Sequence, residues 1–322
     1  MKKIIIYIVL CFYSFPIIAQ TERELTVSEI RQQTVLTEPL TLQKGYFKAS
    51  SQFNYSVLST SYYNNNWEKI TNYGYMFNSF SIPFSINYGI NDNLEINISS
   101  DYKYNKVSYS YKSINYIETE KSKEVKQNTI ENGLNDISFG FNYNLISDKR
   151  TTSPSMCLAG YFTIPSGKSE PTSIDSGKTI RGATSFGCYE LGVGYLIKKV
   201  FYPFSVKGIL RYSYSFPTDL KLKYDDTIKT HIKYGDWLNC NITLNYMVCD
   251  WISFGNTLSY TYNGASEYNS VKDNIINEYY NWTPSLIFQI KNMRLSQGVS
   301  FYIIGKNAPS NPYAFIALAI KI

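Results

Sequence analysis

From Phe47 onward, apolar and polar side chains alternate one by one along the chain. Phe47, Ala49, Ser51, Phe53, Tyr55 and Val57 share one register, and Lys48, Ser50, Gln52, Asn54 and Ser56 share the other. A strand sends successive side chains to opposite faces, so this segment predicts one apolar face and one wet face. The pattern recurs. Phe80, Ile82, Phe84, Ile86 and Tyr88 alternate with Ser79, Ser81, Pro83, Ser85 and Asn87. Leu94, Ile96, Ile98, Tyr102 and Tyr104 alternate with Glu95, Asn97, Ser99, Asp101 and Lys103. Twelve strands follow from this reading, near residues 47–57, 79–88, 94–104, 136–145, 156–164, 189–197, 204–216, 238–246, 252–262, 282–290, 293–303 and 313–322.

The connections alternate as well. Long links are expected at 58–78, 105–133, 165–183, 217–236 and 263–281. Short ones are expected at 89–93, 146–153, 198–203, 247–251 and 291–292. Short turns at one end and long loops at the other are the pattern of an outer-membrane barrel, with the turns in the periplasm. The predicted fold class is therefore all-β: a transmembrane antiparallel up-and-down β-barrel of about twelve strands. Closure has a physical cause, because an unpaired strand edge in lipid costs several kcal/mol per orphan backbone group. A soluble β-sandwich would also alternate, but its outward face would be polar and charged, whereas here the apolar register carries almost no charge.

Composition agrees. Aromatic residues make up 16% of the chain, with 31 Tyr, while charged residues make up only 17%. That charge content is below the quarter or so of soluble domains. Disorder is excluded, since it depletes aromatics and raises charge. The mean hydropathy of −0.24 excludes a bundle of membrane helices. Tyr55, Tyr88, Tyr104, Tyr195, Tyr212, Tyr214, Tyr246, Tyr260 and Tyr262 fall in the apolar register, many near strand ends. A ring in lipid with its hydroxyl at the headgroups is what an aromatic girdle requires.

The first residues read as a leader. Lys2 and Lys3 precede an apolar run from Ile4 to Ile18, and Ala19 is a small residue before the expected cut. Residues 1–19 are thus expected to be a cleaved signal peptide. The net charge of +6 falls to +4 once Lys2 and Lys3 leave, too little and too scattered for a nucleic-acid partner. Residues 20–44 include Leu25, Val27, Ile30, Val35 and Leu36 and are expected to stay in the periplasm or to insert as a plug. Residues 45–322 form the barrel.

Catalytic chemistry finds little support. The single His, His231, falls in a long polar link, whereas a nucleophile triad needs its base fixed against a Ser. Ser166-Gly167-Lys168-Ser169 lacks the Gly that a phosphate loop needs at position 162, which is Phe. Gly192-Val193-Gly194 sits within a strand with no helix after it, so it is no dinucleotide site. Asp225-Asp226 reads as solvated loop. Cys157, Cys188, Cys240 and Cys249 show no metal or redox spacing, and their places on the strands predict four free thiols. No enzyme activity, cofactor or metal is expected.

Function is expected on the wet face. By alternation the lumen carries Lys48, Glu95, Asp101, Lys103, Asp136, Glu190, Lys207, Arg211 and Arg294 among many Ser, Asn and Thr. Both signs are present, which fits either charges paired across a nearly closed interior or a polar path. Twelve strands lie between eight-stranded barrels filled by side chains and sixteen-stranded open porins, so a narrow lumen is expected.

Three stretches add a resemblance. Tyr88-Gly89-Ile90-Asn91-Asp92-Asn93-Leu94-Glu95 is similar to a "YGxxDxLE" hairpin turn. Gly133-Leu134-Asn135-Asp136-Ile137-Ser138-Phe139-Gly140 resembles a "GxGDxxxG" strand start, and Phe162-Thr163-Ile164-Pro165-Ser166-Gly167-Lys168 an "xxPTG" strand exit. In this order and spacing, residues 40–322 resemble the outer-membrane barrel family of the meta-pathway of phenol degradation, whose members are usually described as transporters. The resemblance implies an outer-membrane location and the passive passage of small, hydrophobic or aromatic molecules. The other reading is a structural or adhesive barrel whose long loops bind an external ligand. The expected partners are outer-membrane lipid and lipopolysaccharide, the barrel assembly machinery during biogenesis, and a small solute.

Overall fold

The N–H of Phe47 donates to the carbonyl of Ile322 at 2.9 Å, and the N–H of Ile322 returns the bond at 2.8 Å. The first and last strands are thereby joined. The computed structural model describes residues 40–113, 123–146, 154–173, 179–181, 183–222 and 227–322. Among them the chain forms a closed barrel of twelve antiparallel strands. These are β1 (Phe47–Tyr63), β2 (Lys69–Asn91), β3 (Leu94–Ser113), β4 (in two arms, Lys123–Leu134 and Ile137–Ile146), β5 (Ser155–Ile164), β6 (Glu190–Phe201), β7 (Phe204–Ser215), β8 (Trp237–Cys249), β9 (Ile252–Asn263), β10 (Asn277–Ile290), β11 (Met293–Lys306) and β12 (Tyr313–Lys321). Neighbours in sequence are neighbours in the sheet, and β12 closes onto β1 from Lys48↔Lys321 to Tyr55↔Ala314. The leader expected at 1–19 and residues 20–39 lie outside the described residues.

The alternation holds in three dimensions. Phe53, Phe84, Ile86, Ile96, Ile98, Phe141, Leu158, Val193, Leu210, Phe254, Leu258, Trp282 and Ile316 all stand bare on the outer wall. Aromatic ladders run over this surface, with Phe80 stacked on Tyr104 at 5.0 Å and Trp282 on Phe301 at 5.7 Å. Soluble proteins seldom expose apolar patches beyond a few hundred Å². Each such side chain gains about 1.5–3 kcal/mol by leaving water, so hydrocarbon is the solvent this face suits. On the inner face, polar side chains of adjacent strands hydrogen-bond in pairs: Ser50 with Ser85 at 2.7 Å, Ser138 with Thr163 at 2.7 Å, and Thr243 with Thr257 at 2.9 Å. Such cross-strand pairs satisfy the wet face without closing the lumen.

Tight two-residue turns at Asp92-Asn93, Tyr202-Pro203, Asp250-Trp251 and Lys291-Asn292 share the end where Phe47 meets Ile322. We call this the turn end, and the opposite one the loop end. Two expected loops prove to be strand. Residues 58–78 extend β1 to Tyr63 and begin β2 at Lys69, joined only by 64–68. Of residues 105–133, 105–113 complete β3 and 123–133 supply the upper arm of β4, paired from Tyr102↔Leu134 to Ser113↔Lys123, while 114–122 lie outside the described residues. The β-ladder needs only backbone partners, so it continues where the apolar alternation that announces a membrane strand has ended. Strand β10 likewise starts at Asn277, ahead of its expected start.

β4 breaks at Asn135-Asp136. Its lower arm pairs with both β3 and β5. Its upper arm instead meets Thr179–Arg181, which runs parallel to it from Asn128↔Thr179. The links expected at 217–236 and 263–281 also carry strands. Thr218–Leu220, Thr230–Lys233, Glu267–Tyr268 and Val271–Lys272 form one four-stranded sheet above the loop end.

Candidate functional site in the lumen

Inside the wall lies a cavity of about 790 Å³. Its lining includes Lys48, Asp101, Asp136, Glu190 and Arg294 of the expected lumen residues, among serines of six strands. The remaining expected residues, Glu95, Lys103, Lys207 and Arg211, sit in the same inward register on β3 and β7. Five of the nine side chains named from the sequence thus line the cavity, and the other four share the inward register of its wall. Lys48 is in electrostatic range of Arg294, Lys207 and Glu95, and Lys207 of Arg294, Arg211 and Glu95. The main charged neighbour of Glu190 is another acid, Asp136, with Lys103 weaker.

Three of the four acids are engaged by the wall, and Asp101 lines the cavity. Glu95 is buried and accepts the N–H of Leu42 at 2.8 Å and Asn142 Nδ2 at 3.0 Å. Asp136 accepts the N–H of Gly167 at 3.1 Å, across the break in β4. Glu190 accepts Ser215 Oγ at 3.5 Å.

The turn end of the lumen is occupied by chain. Leu40, Thr41 and Leu42 are buried within the barrel. Leu40 packs against Cys157, Ala159 and Leu196, with Ile209 beside them. Asn144 Nδ2 donates to Thr41 Oγ1, and Thr41 Oγ1 donates to the Asp92 carbonyl at 3.5 Å. Gly89 makes this approach possible, since a Cβ there would stand 2.0 Å from the Gln43 carbonyl oxygen. Sequence reasoning did not single out this apolar cluster. The signal was present: Cys157, Ala159, Leu196 and Ile209 are apolar in the wet register, which only an apolar partner inside the lumen can satisfy.

Gly192-Val193-Gly194 also gains a reason. The Tyr161 ring lies flat against Gly192, whose Cβ would fall 2.0 Å from Tyr161 Cζ. Gly194 and Ala159 together leave room for the Arg211 stem, with a Gly194 Cβ falling 3.2 Å from Arg211 Cγ. These small residues let large polar ones lie along the wall.

Towards the loop end the cavity is bordered by Phe186, Tyr234, Tyr161 and Trp237. Phe186 meets Tyr234 edge-on at 5.1 Å and 62°. Trp237 starts β8, opposite the inward Ser213. None of these four was named from the sequence. Phe186 and Tyr234 lie in loops, where alternation assigns no face.

His231 donates or accepts at Asp219 Oδ1 over 2.8 Å on the outer sheet, with both side chains exposed. No Ser completes a triad with it among the recorded contacts of the described residues. Asp225-Asp226 lies outside the described residues. No cluster of metal-ligating side chains occurs among the described residues. All four described cysteines are free thiols.

The sequence matches no known family profile. It also matches no characterised protein at the level of sequence. Solved structures do resemble its fold. The crystal structure of an outer membrane channel from Pseudomonas putida F1 superposes with a TM-score of 0.65 at 12% identity, over 88% of this chain and 97% of that one. The NanC porin matches at a TM-score of 0.45 and 7% identity, and the KdgM porin at 0.40 and 11%, over 86% and 84% of this chain. The likeness to the Pseudomonas channel lies in the barrel itself, and the chain has the fold of an outer-membrane β-barrel.

Proposed function

We propose that this protein is an outer-membrane channel through which small solutes pass passively. The observation that carries this reading is a polar, charged cavity enclosed by a wall that is apolar on its outside. A barrel needed only as a membrane staple has no use for nine ionisable side chains in its interior, since each costs desolvation. The outward apolar band and the leader at 1–19 support an outer-membrane location, reached through the barrel assembly machinery, with lipid and lipopolysaccharide around it. The resemblance to the family of the meta-pathway of phenol degradation favours hydrophobic or aromatic solutes. Phe186, Tyr234 and Trp237 offer such a ring faces and edges to pack on. The segment Leu40–Leu42 narrows the path at the turn end, as suits a channel for small molecules.

Conductance of the purified protein in a planar bilayer tests this. Discrete current steps are expected. A sealed barrel, with no steps and no solute uptake into liposomes, overturns the reading. The outer sheet and its links then become the functional surface, because Val271 on the sheet and Ile228, just ahead of Thr230–Lys233, stand 69% and 79% exposed and would suit an adhesive contact.

A further inference from the structure

Resting on that channel reading, we infer that the lumen holds a ring-binding subsite between Tyr161 and Trp237, and that the solute it takes is a neutral ring carrying hydroxyl groups. The register places four inward positions side by side at one level of the wall: Tyr161 on β5, Gly192 on β6, Ser213 on β7 and Trp237 on β8. Tyr161, Ser213 and Trp237 all line the cavity. Gly192 has no side chain, and the Tyr161 ring leans over it towards β7. One face of the ring therefore covers backbone, and the other is left to the cavity. Strands lie roughly 4.8 Å apart, so about 10 Å of wall remains between this ring and Trp237. Only the small, buried Ser213 stands there. A single ring touching both aromatics takes up about that width, because stacked ring centroids stand roughly 4.5–7 Å apart.

The levels on either side set what the ring carries. Towards the loop end, the next inward row holds Thr163, Glu190 and Ser215, paired Thr163↔Glu190 and Ser215↔Glu190. Towards the turn end, the next row holds Arg211 opposite Asn239. A carboxylate thus stands on one side of the ring level and a guanidinium on the other. A charged solute would be attracted by one row and repelled by the other, so neither sign is favoured. A hydroxyl suits both, because it donates to a carboxylate and accepts from a guanidinium. The Thr163 and Ser215 hydroxyls and the Asn239 amide also both donate and accept, so they match hydroxyls at either edge of the ring. An aromatic alcohol and a pyranose share this chemistry, with apolar faces for Tyr161 and Trp237 and polar groups at the rim.

The test is a saturation-transfer NMR titration of the full-length protein in detergent, alongside its conductance in a planar bilayer. The probes are benzyl alcohol and glucose. Anisole, an isomer of benzyl alcohol whose oxygen bears no proton, and glycerol, which has hydroxyls and no ring, are the controls. Binding of benzyl alcohol, glucose or both is expected, more tightly than either control, and the tighter probe identifies the ring as aromatic or saccharide. Tyr161→Ala and Trp237→Ala should each weaken that binding by about three- to tenfold. Tyr161→Phe, which keeps the ring, should leave it within about twofold. A Tyr161 that only covered the Gly192 backbone would change stability and not binding. Two separate alanine variants are used so that a misfolded one, recognised by loss of its heat-dependent gel shift, does not decide the matter. Binding no tighter than that of the controls, or unchanged in the folded alanine variants, overturns this inference, and conductance in the same protein then leaves the channel reading intact. A sealed barrel overturns the channel reading, and with it the passage of any bound ring.

Discussion

The backbone N–H of Leu42 donates to the carboxylate of Glu95 at 2.8 Å, tying the chain before β1 to the inner face of β3. Glu95 belongs to the hairpin turn that sequence reading picked out as barrel punctuation. Its carboxylate is directed into the barrel, where it holds the segment that narrows the turn end. The same acid also receives Asn142 from β4.

Glu95→Gln should loosen that segment. A hydrogen bond to a charged group contributes about 1.5–3 kcal/mol, and the neutral amide retains only part of it. The expected result is a larger or noisier single-channel conductance, with barrel stability in urea nearly unchanged. Gly89→Ala should act in the same direction by steric means, because its Cβ would overlap the Gln43 carbonyl.

Gly192→Ala should push the Tyr161 ring away from the wall into the cavity. Overpacking of this kind costs about 1–3 kcal/mol. Conductance should fall, and Gly192→Ala combined with Tyr161→Ala should restore it. Planar-bilayer recordings of the two variants check this.

Leu258 stands bare near the middle of β9, on the outer wall. Leu258→Arg should destabilise the barrel by about 2–4 kcal/mol if this position meets the bilayer midplane. Urea titration in lipid vesicles measures it. A change near zero would place hydrocarbon elsewhere on the wall.

Denatured without reductant, the mature chain should take four alkyl adducts, one at each free thiol. In the folded protein Cys188 should be slow. It is buried just ahead of β6, and burial, with the carboxylates of Glu190 and Asp136 adding, pushes its thiol up to about 12. A raised thiol keeps its proton at neutral pH, so the reactive thiolate is scarce there. Its alkylation rate should climb about tenfold per pH unit below that value. Mass spectrometry of folded samples between neutral and alkaline pH reads this directly.

The wall was legible because membrane strands obey a strict period. Phe53 against Asn54, or Ile96 against Glu95, decides face without reference to any distant residue. Loop-end strands were less legible. Tyr109 pairs with Gln127 above the apolar band, where nothing forces one face to be apolar. Lys48, Glu95 and Arg294 could be assigned to the lumen by parity alone. That Lys48, Lys207, Arg294 and Glu95 would come within range of one another could not, since it depends on which strands curve round to face one another.

What the sequence determined by itself is the solvent on each side of the sheet: hydrocarbon for one register of side chains, water for the other, and a closed sheet as the consequence. The tertiary structure alone decided what stands inside. Leu40 meets Cys157 and Leu196, Tyr161 lies on Gly192, and Lys48, Lys207 and Arg294 come within range of one another. Alternation is a local property, fixed by the geometry of neighbouring peptide units. Contacts across a lumen join residues far apart in sequence, and only the curvature and stagger of the closed barrel bring them together.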